Sequence, residues 1–162
     1  MGFNISGIVI NRNLENRTEE LSKILDLDLD FEREIGFETA SENGKDEGIV
    51  DIYYSDNGTL VFAEADLCLS AYSYPDAAIF TFALFETSMT FFYAYSNYGV
   101  IIRSRIESEG NVLEEEGEKL EAEIGEEDTS EIIINLIEKT LGKAFYEIDT
   151  NEKAFRYVIR NS

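Results

Sequence analysis

Between Ala78 and Phe85 apolar side chains occupy both parities of the chain: Phe80, Phe82 and Leu84 on one side, Ile79, Ala83 and Phe85 on the other. Side chains of an extended chain alternate between faces. A strand apolar on both faces must be covered on both, by helices, by further strands or by a partner. The same texture, β-branched and aromatic residues broken by turn signals, runs from Gly48 to Ile106 and predicts antiparallel strands at 49–54, 59–65, 78–85, 89–96 and 100–107. Asp56-Asn57-Gly58 marks a tight hairpin in which Asn and Gly would take positive φ, and Asn97-Tyr98-Gly99 and Ser108-Glu109-Gly110-Asn111 mark further turns. Val112–Glu114 then returns along the preceding strand, and Glu114–Glu118 reads as an acidic turn around Gly117.

Helices flank this block. Phe3–Ile10 opens as a strand; Asn13 can then cap a helix over about 14–25, with Leu14, Thr18, Leu21, Ile24 and Leu25 on one face. Asp128-Thr129-Ser130-Glu131 has the spacing of a capping box. Ile133, Leu136, Ile137, Thr140 and Leu141 form a stripe, and Gly142 is a ready stop, so a second helix is expected over about 129–141. Residues 26–46 read as polar and irregular, with a short strand near Ile35–Thr39. The tail, carrying Phe145, Tyr146, Phe155, Tyr157 and Val158, is too apolar to hang free and should dock on the sheet. The fold class expected is α+β: an antiparallel meander of about 5–7 strands packed against the two helices, as a single domain over 1–162.

Charge bounds the partners. There are 34 Asp and Glu against 13 Lys and Arg, a net of −21. From Lys139 onward five bases meet three acids, so the first 138 residues carry 31 acids against eight bases, with the densest acid between Glu107 and Glu131. Such a surface repels nucleic acid and anionic lipid. No run of about 18 apolar residues occurs, and the opening residues lack the basic and apolar regions of a secretion signal. A cytoplasmic protein is expected, so the sequons at Asn4, Asn16 and Asn57 carry no weight. Cys68, the only cysteine, sits between Leu67 and Leu69 and reads as a small buried hydrophobe.

Candidate chemistry is sparse. The chain has no histidine, which removes the commonest general base and metal ligand and, with one cysteine, the usual zinc site. Asp26, Asp28 and Asp30 match the first positions of a calcium loop, but Phe31 and Phe37 stand where Gly and Glu are needed. Gly44-Lys45 lacks the rest of a phosphate loop. Glu64 and Glu86, in a cleft lined by Tyr53, Tyr54, Tyr72, Tyr74, Tyr93 and Tyr95, would be needed for carboxylate-based hydrolysis or small-molecule binding; on a strand, packing tyrosines and solvated acids are the commoner outcome. Arg103 and Arg105 share a strand face and are expected to pair with neighbouring glutamates.

No residue is therefore assigned as catalytic, cofactor-binding or metal-binding. Two functions are compatible with these residues: a non-catalytic interaction module for a basic protein partner, and a small-molecule binding or hydrolytic domain built on the sheet carboxylates and tyrosines. Bacterial immunity proteins and small acidic secretion chaperones have the first profile by charge and size only, with no matched motif. A homodimer would also cover two-sided strands. A continuous acidic surface with exposed apolar residues would favour docking, and a deep aromatic cleft converging on Glu64 or Glu86 would favour chemistry.

Overall fold

The computed structural model describes residues 2–160. Its centre is an open, wholly antiparallel sheet of nine strands: β1 (Asn4–Ile10), β2 (Leu29–Gly36), β3 (Ile49–Tyr54), β4 (Thr59–Phe62), β5 (Ala78–Phe85), β6 (Thr90–Asn97), β7 (Val100–Ser108), β8 (Asn111–Gly117) and β9 (Lys153–Ile159). Three helices join them, α1 (Thr18–Leu25), the single turn α2 (Phe37–Ala40) and α3 (Thr129–Leu141), giving an α+β arrangement. The spatial order is β2-β9-β3-β4-β1-β5-β6-β7-β8. Only β5 to β8 form an uninterrupted meander. β1, apolar on both faces through Ile5, Ile8, Val9 and Ile10, is buried along nearly its whole length between β4 and β5, because a two-sided apolar strand at an edge would leave one flank wet.

Both faces are covered by the chain itself. On one, Phe62, Phe80, Phe82, Leu84 and Tyr93 pack with Ile133, Leu136, Ile137 and Leu141 of α3 and with Phe37 and Phe145. On the other, Ile8, Ile10, Val50, Ile52, Val61 and Ile79 pack with Leu21, Ile24 and Leu25 of α1 and with Cys68. Each such side chain contributes about 1.5–3 kcal/mol when fully buried. Among the described residues no helix is long and apolar enough to cross a membrane.

The expected strand count of 5–7 falls short of nine because two strands were not foreseen, and a third is longer than expected. Leu29–Gly36, read as largely irregular, is an edge strand whose middle residues face solvent, so it needs no apolar stripe. The docked tail supplies a full strand, β9, between β2 and β3. Glu114–Gly117, read as a turn, stays extended in β8. The first helix is also shorter than 14–25. Asn13 accepts from the Glu15 N–H (2.8 Å) and donates to the Ser55 carbonyl (2.8 Å), and Asn16 turns back with φ 67°, so the helix begins only at Thr18. The last helix spans Thr129–Leu141, with Asp128 accepting from the Ser130 N–H and Gly142 in the left-handed region at φ 77°.

The β3–β4 hairpin forms, but Asn57 and Gly58 are not the positive-φ pair that the sequence suggests. Gly58 is instead held against the end of α3, where an added Cβ would lie 2.5 Å from the Leu141 carbonyl oxygen and 2.9 Å from its Cα. Ser55 Oγ donates to that same carbonyl at 2.7 Å. Gly58→Ala is therefore expected to prise the turn from the helix, at about 1–3 kcal/mol, as overpacking does. Chemical denaturation measures it, and an unchanged midpoint would show that the contact is slack.

Candidate functional site: an acidic sheet edge

Residues Glu107 to Glu131 hold twelve carboxylates and one cation, Lys119, a net of −11 and so more than half of the chain's −21. The fold turns this run into an edge. β7 and β8 are joined by Glu109 (φ 50°) and Gly110 (φ 84°), both left-handed, as a two-residue hairpin turn requires. β8 pairs with β7 alone and is exposed along its whole length.

One row of that edge is anchored. Arg103, 2% exposed, donates from Nε to Glu123 Oε2 (3.0 Å) and from Nη2 to Glu123 Oε1 (2.7 Å) and Glu115 Oε2 (3.0 Å). Its Nη1 donates to the Gly117 carbonyl at 3.0 Å, closing the far end of the hairpin. Glu123, whose side chain is 4% exposed, also accepts from Tyr93 OH (2.6 Å) and from the Leu120 N–H (2.7 Å). Burial pushes the Glu123 carboxyl up. The hydrogen bonds from Arg103, Tyr93 and the Leu120 N–H more than offset this and hold it below the ordinary carboxylate range. For Tyr93, burial and then the neighbouring Glu123 charge act together, so its hydroxyl stays protonated far above neutrality. Arg105 pairs with Glu107 at 2.8 Å, and Glu107 accepts from Thr129 Oγ1 at 2.9 Å, tying the start of α3 to β7.

The other row is free. Glu114 and Glu116, on the opposite face of β8, have no cation within 4.0 Å of their carboxylates among the described residues. Beside them Leu113 is 63% exposed; Val112 is exposed on the α3 side of the strand, and Val100 and Ile101 are exposed where β7 runs on past the end of β8. On the α3 side a hollow of about 330 Å³ opens beside β8, walled by Arg105, Val112, Glu115, Glu126, Glu127 and Ile132 among others.

No protein family, characterised protein or solved structure matches the chain. What this edge does must therefore be read from its chemistry.

The residues singled out in the sequence are dispersed. Glu86 accepts from the Phe3 N–H at 2.6 Å, while Glu64 keeps company with Glu47 and Asp66, its pKa raised by partial burial and then by those two charges. The tyrosines divide between the faces. Tyr53 and Tyr93 belong to the α3 side and Tyr54, Tyr72 and Tyr74 to the α1 side. Tyr53 donates to Glu152 (2.8 Å) beside Lys143, and Tyr72 to the Leu67 carbonyl (2.6 Å). Asp26 ends α1, and Asp30 pairs with Arg160; no group of three or more acids or cysteines among the described residues is placed to hold a metal. Cys68 is buried and its thiol pushed up to about 12 by that burial, which makes it a poor nucleophile. Arg103 and Arg105 do pair with glutamates, but the main partner of Arg103 lies twenty residues on. The sequence signal that exists for Glu123 is weak: one acid in a run of acids.

Proposed function

We propose that the chain is a non-catalytic protein-interaction module whose acidic β7–β8 edge docks on a basic protein. The observation that carries this is the free row, Glu114 and Glu116, standing uncompensated beside exposed Leu113, with exposed Val112 on the opposite face of the same edge. Apolar residues at the centre with charge at the rim are the makings of an interface. The −21 charge would speed the encounter with a cationic partner and turn away nucleic acids and acidic proteins. Because the β7–β8 hairpin is fastened through Arg103, little ordering is left to be done on binding.

Affinity capture from the native host, with the bound protein identified and eluted along a salt gradient, tests this. A basic partner whose affinity falls steeply as the screening length shrinks below about 8 Å supports the reading. A partner that is acidic, or one retained unchanged at high salt, contradicts it.

A further inference from the structure

We propose that β8 receives an extended segment of the partner as a tenth strand, one carrying Lys or Arg at alternate positions. This rests on the docking reading above and adds how the partner binds.

The sheet has two free edges, and they are built differently. On β2 the charges are mixed and locally balanced: Asp30 pairs with Arg160, Glu34 with Lys153 at 3.7 Å, and Arg33 sits within the strand next to a register irregularity. On β8 the charges are of one sign, and two of the three strand glutamates are unpaired among the described residues. Edge strands are commonly protected by charge, and the mixed charges of β2 do that without attracting anything. The one-signed edge β8 repels its own kind while remaining open to cations.

The placement of the acids selects a strand over other shapes. Every second residue of β8 turns its N–H and C=O away from β7, a row that a further strand can pair with in register. Glu115 and Val112 project toward the α3 side above the hollow that Glu126 and Glu127 also line, while Glu114 and Glu116 project from the other face. A helix or a flat surface lying on one face would meet one row. A strand laid about 4.8 Å beyond β8 sets one parity of its side chains, the Lys or Arg, against the free row of Glu114 and Glu116, where opposite charges pair across strands, and the other parity over the Glu115 row. A second copy of this chain would bring glutamate against glutamate, so the occupant is a cationic strand of a different protein.

Amide hydrogen exchange on the full chain tests the proposal, with a synthetic peptide of alternating Lys and Thr as probe. Three comparison peptides carry Glu in place of Lys, backbone N-methyl groups along one edge, or backbone N-methyl groups along the other. The expected result is slowed exchange at alternate residues of Asn111–Gly117, with about tenfold weaker binding to the E114Q/E116Q variant and loss of binding when the pairing edge of the peptide is N-methylated. Equal binding of all Lys peptides overturns strand addition while leaving acidic docking in place; protection at Leu29–Gly36 instead overturns both. A Lys peptide that binds no better than its Glu counterpart overturns both.

Discussion

Arg103→Ala is expected to destabilise the fold by about 3–5 kcal/mol, the usual result of removing one partner from a buried ion pair. Glu123 would be left 4% exposed with only Tyr93 and the Leu120 N–H to satisfy it, and the Gly117 carbonyl would lose its donor. Its pH dependence is more diagnostic than its size. In the native protein the Glu123 pKa lies below its ordinary value of 4.5, so its contribution to stability is present above that value and lost as pH falls through the folded value. Without Arg103 the same carboxyl is buried and lacks its cation. Its pKa should rise, and protonation should then favour the folded state. The gap between variant and wild type should narrow as pH falls from 7 toward 4, measured as denaturation midpoints across that range. A gap that stays constant would show that Arg103 acts by packing alone. Weakened docking is expected alongside, since the edge loses its clamp.

Asp51→Ala should cost a similar amount, about 3–5 kcal/mol, or roughly 6–20 °C in Tm for a chain of this size. Asp51 is 0% exposed on β3 and serves two cations. Its cross-strand neighbour Arg156 binds it bidentately, Nε to Oδ1 at 2.8 Å and Nη2 to Oδ2 at 2.9 Å, and Lys45 pairs with Oδ2 while donating to the Ala40 carbonyl at 3.1 Å. The Arg156 pKa is raised chiefly by that bond to Asp51. Removing Asp51 strands two positive charges at once. Arg156→Met, by contrast, leaves Asp51 with Lys45 and should cost markedly less. Thermal unfolding of the two variants gives the comparison; equal losses would mean that Lys45 contributes nothing.

What the sequence revealed followed from whether each signal was local. α3 was legible from end to end because Asp128, the stripe from Ile133 to Leu141 and Gly142 all lie within one segment. The two-sided apolarity of Ala78–Phe85 likewise announced that both faces would be covered: α3 lies over one, and on the other Ile79 packs in the α1 cluster while Ala83 and Phe85 pack with Ala71 and Phe92. β2 was hidden because it is held by β9, more than a hundred residues away, and its own residues carry no alternation strong enough to betray it. β8 was legible only in its first half, Val112–Glu114, and the rest was hidden for a different reason. Glu114-Glu115-Glu116 has poor strand propensity, and only the register with β7, with Arg103 and Arg105 beside Glu115, keeps it extended. The acidity of the candidate site could therefore be read from composition. That the acids stand in two rows along an open sheet edge could not, and neither could the buried Arg103–Glu123 contact that fixes them.

The most direct measurement compares charge at the edge with charge elsewhere. Affinity for the partner captured from the host, at about 0.15 M salt where the screening length is about 8 Å, should be determined for wild type, for E114Q/E116Q on β8, and for E15Q/E19Q, which removes the same charge at exposed positions near the start of α1. A loss of about tenfold confined to the β8 variant is the expected result. Equal losses in both variants, or none in either, would contradict a binding role for the edge and leave its acidity as a solubilising charge.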